Sequence, residues 1–307
     1  MTWLLYIAIT LIVDSLRIFI DNYVSDVYFK GRNAVSQKLF YGYSISVASI
    51  LILALTGFDF SAFTLNLFFA LTLAGVISSI SGIFYLKALE LDNATNLGIF
   101  IQLAPVLYLI LGWLFLGETI SLIQFIAFLI IISASALIIA TARKRSRQIQ
   151  IKAAIFSFIY VLIAVISNLI FVKANTTGAS FITTTAFLLL IKSLTNLILV
   201  YSIPKWHHRY YTVVKQSKGK IFRPMLANTV IGTVKEFVYR AALVTAPTVA
   251  LASAVSDSSG PIVIFFMGII LTIIWPKFGR EKLQKRTVII HLIAIVLVVT
   301  GVVLLQT

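Results

Sequence analysis

Several ionisable side chains of this sequence sit inside apolar runs, where charge has to be used or neutralised. Asp14, Arg17 and Asp21 are spaced by three and four residues, which places them on one face of a helix. Lys192 lies near the middle of one apolar run, with Asn196 one turn on. Lys235 and Glu236 lie near the middle of the next, with Arg240 four residues after Glu236. Asp257 belongs to Ser256-Asp257-Ser258-Ser259-Gly260-Pro261, where glycine and proline can interrupt a helix and release backbone groups for a ligand. A charge at the centre of a bilayer costs about 2.5–3.5 kcal/mol on insertion scales, so such groups face water, a solute or a partner.

The deepest candidates are three acids, Asp14, Glu236 and Asp257, against three bases, Arg17, Lys192 and Lys235. Two readings follow from that balance. The groups line a hydrated cavity for a polar or zwitterionic solute, or they pair with one another and fix helix packing. Asp14 with Arg17, and Glu236 with Arg240, can pair within one helix. Lys192 and Asp257 have no opposite charge one turn away and are expected to line the pathway, with a Lys192–Asp257 pair as the alternative. Carboxylates in a low-dielectric cavity can also bind and release protons, which makes Asp14, Glu236 and Asp257 candidates for a relay.

The elements that position these residues follow from composition. The chain has 307 residues, 60% hydrophobic and 11% charged, with a mean hydropathy of +1.03, outside the range of ordinary globular domains. Apolar runs near the roughly 20 residues needed to cross hydrocarbon recur along its whole length. They fall near 2–21, 34–56, 62–86, 94–116, 120–141, 152–174, 180–203, 224–246, 249–274 and 287–306. Runs this long without strict alternation favour helices over barrel strands. The expectation is an all-α integral membrane protein of about ten helices. The first run carries Asp14, Arg17 and Asp21 and lacks a basic start and a small-residue cleavage site, so it reads as a span and not as a signal peptide. With no cysteine, disulfides, thiolate metal sites and a cysteine nucleophile are excluded.

Two stretches look alike. Tyr85-Leu86-Lys87-Ala88-Leu89 is followed by Pro105 and Gly112, and Tyr239-Arg240-Ala241-Ala242-Leu243 by Pro261 and Gly268. Their separation is close to half the chain, which predicts two five-helix halves, 1–148 and 149–307. An odd number of spans per half makes the halves inverted repeats, and such repeats build their site at the mutual interface near the midplane. By this symmetry Gln102, before Pro105, corresponds to Asp257 before Pro261, and the two helices are expected to face one site. Tyr85, Tyr108 and Trp113 are aromatic candidates nearby, with Tyr41 and Tyr43 of similar standing; aromatics in a span more often serve packing. Lys87 and Glu90, at a helix end, read as a snorkelling pair.

On Tyr85 to Leu89, Pro105, and Trp113-Leu114-Phe115-Leu116-Gly117-Glu118 leading into the fifth run, the sequence resembles the drug/metabolite transporter superfamily and its EamA-like branch. The second half matches more weakly: its equivalent helix runs into Trp275-Pro276-Lys277-Phe278-Gly279 and has no Gly-Glu pair. The resemblance implies solute transport generally and leaves the substrate open.

A formal charge of +15 would invite a nucleic-acid reading in a soluble protein. Here the basic clusters, Lys30 and Arg32, Arg143 to Arg147, Lys205 to Arg223, and Lys277 to Arg286, each follow an odd-numbered run, so they share one side. The positive-inside rule makes that side cytoplasmic and puts both termini outside; the resemblance implies cytoplasmic termini instead. His207 and His208, beside Trp206 and Tyr210, could form a metal pair but read better as solvated residues of a basic loop.

The expectation is therefore a secondary transporter in the plasma membrane that moves a small polar, charged or zwitterionic metabolite by alternating access. Its partners would be that small-molecule solute and the lipid bilayer, with no nucleic acid, cofactor or metal. A membrane-embedded enzyme or flippase acting on a lipid headgroup is the alternative. Against an enzyme, the sequence has no glycine-rich phosphate loop, no metal-ligand cluster and no pairing of nucleophile with base. A non-transporting receptor or scaffold is a third reading.

Overall fold

A computed structural model describes residues 2–29, 34–57, 60–91, 103–143, 151–176, 178–274 and 285–305. The described residues form helices and no strand. In chain order these are α1 (Thr2–Val24), α2 (Lys38–Leu55), α3 (Leu65–Leu91), α4 (Ala104–Leu116), α5 (Leu122–Arg143), α6 (Ile151–Asn175), α7 (Phe181–Ser202), α8 (Pro204–Gln216), α9 (Phe222–Thr245), α10 (Val249–Ile274) and α11 (Lys285–Leu304). Among the described residues six of them are long and apolar enough to cross a membrane, and α4, α5 and α11 contribute the apolar stretches Ala104–Leu116, Leu122–Ala134 and Leu292–Leu304. At 24 residues, α9 spans about 36 Å; Arg223, Lys235, Glu236 and Arg240 make it the least apolar of the long helices.

The helices are apolar outward and polar inward. Leu55 is 87% exposed and Ile273 76%, whereas Arg240, Ser79, Ser193 and Thr184 are buried. In water this arrangement would be costly, and in lipid it is the stable one. Close crossings depend on small residues. A Cβ on Gly42 of α2 would stand 2.6 Å from Leu197 Cδ2 and 3.2 Å from the Ser193 carbonyl of α7, and one on Gly75 of α3 would stand 3.0 Å from the Leu188 carbonyl of the same helix. Helix α7 is thereby held against both α2 and α3.

The strongest packing joins α3 to α6, α1 to α9, α2 to α7, and α5 to α11. Helices α1 and α10, α4 and α6, and α4 and α10 also pack together; were α1 to α5 matched in order with α6, α7, α9, α10 and α11, each of these pairings would map onto another or onto itself.

Two connections are well specified. Helix α4 ends at Gly117, in the left-handed region at φ 69°, where the Gly117 and Glu118 N–H groups bond the Trp113 and Gly112 carbonyls. Four residues later Ser121 Oγ accepts from the Gln124 N–H at 3.2 Å while Gln124 Oε1 accepts from the Ser121 N–H at 2.9 Å, a reciprocal cap that starts α5.

Two sequence expectations change here, and two others are left untested. Much of the stretch 205–223 is helix α8, not a solvated loop: Tyr210 and Val213 are buried, with Trp206 and Val214 packed beside them, a spacing that lays one apolar face on the bundle. Helix α10 runs unbroken through Gly260-Pro261, although Pro261 has no N–H to give the Asp257 carbonyl. Gln102 and the boundary at 148/149 lie outside the described residues.

Candidate functional site

The ionisable groups form a connected layer whose hub is α9. Successive helical residues point about 100° apart, so Lys235 and Glu236 serve different neighbours. Lys235 Nζ turns to α1, 3.9 Å from Asp14 Oδ1, with Tyr239 of its own helix beneath it, the ring centre at 5.1 Å. Glu236 turns to α7, where its Oε1 accepts from Lys192 Nζ at 2.9 Å, while its Oε2 is 3.3 Å from Arg240 Nη2. Arg240, buried, also lies over the Phe171 ring at 4.5 Å.

On α1 the spacing works as expected. Arg17 stands 3.3 Å from Asp14 Oδ1 and 3.4 Å from Asp21 Oδ2. Asp21 Oδ1 further accepts from Tyr41 Oη at 2.8 Å and from Asn228 Nδ2 at 2.6 Å. This carboxylate thus ties α1 to α2 and α9.

Asp257 accepts from Ser253 Oγ at 2.6 Å. Lys235 and Asp14 lie within its electrostatic reach, and it acts in turn on the buried hydroxyls of Tyr108, Tyr160 and Tyr239. Tyr108 accepts from Asn168 Nδ2 at 2.7 Å, and Tyr239 lies within its electrostatic reach. The Tyr85 ring lies 5.1 Å from that of Tyr160. Aspartates, a lysine and four tyrosines from α1, α3, α4, α6, α9 and α10 therefore converge on one region, a set of donors and acceptors suited to a polar solute.

Residues 27–140 match the EamA-like transporter family. That segment runs from the end of α1 to near the end of α5, and it includes Tyr85 to Leu89, Pro105 and Gly117-Glu118. The apolar helices make the chain an integral, multi-pass helical membrane protein, and its first half is similar to transporters of the EamA-like family. No curated protein matches it in sequence. A solved crystal structure of a protein is similar over 97% of this chain and 95% of its own, with a TM-score of 0.59 and 14% identity, a likeness of fold.

Asp14 and Arg17 stand together with Lys235 at one side of the layer, within electrostatic reach of Asp257, and Lys192, Glu236 and Arg240 form an adjoining group. The partner of Lys192 is Glu236 and not Asp257, because the pitch of α9 turns Glu236 toward α7. Asn196 does not serve Lys192: its Oδ1 accepts from Lys38 Nζ at 3.0 Å and from Ser79 Oγ at 2.6 Å. Of the aromatic candidates, Tyr41 and Tyr108 are inside. Trp113 is 61% exposed on the outer surface, and Tyr43 bonds Tyr201 at the periphery. Lys87 lies 6.0 Å from the centre of the Trp206 ring on α8. His207 stacks at a tilt near Tyr201.

Sequence reasoning missed Lys38, Asn168, Tyr160 and Asn228. Lys38 sits four residues into its apolar run and reads as an end charge; the others are polar residues in apolar runs, a signal that was present. Glu118 acquires a concrete contact: its two oxygens accept from the Val249 N–H, the start of α10, at 3.0 and 3.1 Å. Burial pushes its carboxyl above the ordinary 4.5, with the Val249 N–H opposing that shift.

Proposed function

We propose that the chain is a secondary transporter that moves a small polar, charged or zwitterionic metabolite by alternating access between two inverted halves. One observation supports this reading: Asp14 of α1 stands 3.9 Å from Lys235 of α9, with Asp257 of α10 within electrostatic reach of both, the kind of contact expected where inverted halves would hold a solute. Asp14, Arg17, Lys192, Lys235, Glu236 and Asp257 would bind the solute or couple its movement to an ion, with Gln102 as the counterpart of Asp257 and Asn196 acting beside Lys38. The exchange pattern of helix pairs supports the two-half reading.

The basic ends would be cytoplasmic. Arg209 Nη2 donating to the Phe29 carbonyl at 3.1 Å and Lys87 beside Trp206 gather the connections after the odd spans at one end. Lys173 Nζ on the Phe115 carbonyl at 3.3 Å and Glu118 on Val249 gather the even ones at the other. The positive-inside rule then turns the basic face inward, in what we take to be the plasma membrane.

Purified protein in sealed vesicles tests the class. Movement of a solute supports the transporter. Chemical conversion without movement would make it an enzyme, and neither would leave a receptor or scaffold.

A further inference from the structure

We propose that Lys38 is the anion-binding group of this transport site, and that the solute therefore carries a carboxylate or phosphate. The proposal rests on the transport reading and deepens it. Lys38 opens α2 and is buried, 7% exposed. Its ammonium donates to the Ser79 backbone carbonyl at 3.0 Å and to Asn196 Oδ1 at 3.0 Å. Both acceptors are neutral, and among the described residues no carboxylate pairs with it. Ser79 is at the middle of α3, so this charge is at membrane depth.

Its surroundings are shaped for it. A Cβ on Gly82 would stand 2.6 Å from Nζ and 3.2 Å from Cε, so only glycine leaves the ammonium its place. Ser79 Oγ donates to the same Asn196 Oδ1; two donors on one oxygen fix the amide, and its Nδ2 donates to no described residue. An ammonium has three N–H groups, of which two are used here. Lys38 and Asn196 thus present unused donors side by side, the set that a carboxylate or phosphate oxygen accepts.

Charge accounting points the same way. Among the described groups of the buried layer, the cations are Arg17, Lys38, Lys192, Lys235 and Arg240, and the carboxylates are Asp14, Asp21, Glu236 and Asp257. By formal count the cationic groups outnumber the carboxylates by one. Burial first, and then the fields of Lys192 and Arg17, all act against the ammonium of Lys38, while Arg17 and Lys192 have carboxylates of their own, so Lys38 is the cation that an added anion would relieve most. A buried charge without a counter-charge is costly, and an anionic solute supplies one each time it binds.

The experiment measures thermal stabilisation of the purified full chain by sodium phosphate, L-lactate and L-glutamate, with glycerol and L-glutamine as neutral controls at constant ionic strength. At least one anion should raise the melting temperature of the wild type. Lys38→Met should keep the fold but raise the half-saturating concentration roughly tenfold or more, the scale of a lost hydrogen bond to a charged group. Lys38→Arg should bind more tightly than Lys38→Met, and Gly82→Ala, which keeps the charge but displaces it, should weaken binding. Equal anion response in wild type and Lys38→Met overturns the proposal. So does a Lys38→Met protein that cannot be purified folded, which would make Lys38 a structural strut. Vesicle uptake separates this from the parent reading. A neutral or cationic solute taken up equally by wild type and Lys38→Met keeps transport and rejects the anion seat. No uptake of any solute, alongside stabilisation by phosphate that depends on Lys38, rejects transport and keeps the seat.

Discussion

Lys192 Nζ and Glu236 Oε1 stand 2.9 Å apart, joining α7 to α9, and the second oxygen of the same carboxylate holds Arg240 at 3.3 Å. One carboxylate therefore serves two cations. Glu236→Gln strands both, and breaking a buried pair from one side costs about 3–5 kcal/mol. Lys192→Met leaves Glu236 with Arg240 and should cost less. Adding Asp257→Asn to Lys192→Met should restore nothing, since the two residues are not partners. Melting temperatures of the purified variants check this order; a more damaging Lys192→Met would contradict the shared carboxylate.

The helices were readable because hydrophobic runs of membrane length leave little choice of structure. Within them, the spacing of Asp14, Arg17 and Asp21 foretold their mutual contacts, since an i to i+4 relation is set by the helix itself. Lys192 with Glu236, and Lys38 with Ser79 and Asn196, were not readable. These contacts depend on which faces of α2, α3, α7 and α9 meet, and that is decided by Gly42, Gly75 and the rotation of each helix. Helix α8 was readable and missed, because the basic residues of 205–223 obscured the apolar face of Trp206, Tyr210, Val213 and Val214.

Glycine substitutions test that packing. Gly42→Ala must push Leu197 and meets the Ser193 carbonyl, and overpacking of this kind costs about 1–3 kcal/mol. A Cβ on Gly260 meets nothing within 4 Å, so Gly260→Ala should be neutral or stabilising by up to about 1 kcal/mol through helix propensity. Thermal melts in one detergent compare the two, and an equal loss in both would contradict the close α2–α7 crossing.

Glu118 gives a pH signature. Its carboxyl is raised above 4.5 in the fold, so its stabilising share is fully present below 4.5 and is lost as pH rises through the raised value. Glu118→Gln, which keeps one acceptor for the Val249 N–H, should remove that share from the dependence of melting temperature on pH. Glu118→Ala should cost about 0.5–2 kcal/mol by removing the cap. Parallel pH curves for wild type and Glu118→Gln would contradict the buried contact.

Orientation can be read with single cysteines, because the chain has none of its own. Lys215→Cys on the basic helix α8 should react with a membrane-impermeant maleimide only in inverted vesicles. Thr119→Cys, at the Glu118 end, should react in intact cells. The opposite pattern would place the basic face outside.

The central claim is that solute crosses through the region where Asp257 meets Lys235, Asp14 and the tyrosines. Uptake by sealed vesicles holding wild type or Asp257→Asn tests it most directly, with a panel of labelled amino acids, organic acids and amines measured across pH. Wild type should accumulate at least one of these, and folded Asp257→Asn should take it up roughly tenfold more slowly, the effect of losing about 1.4 kcal/mol, or with an altered pH dependence. Uptake by Asp257→Asn equal to wild type at every pH would contradict the account.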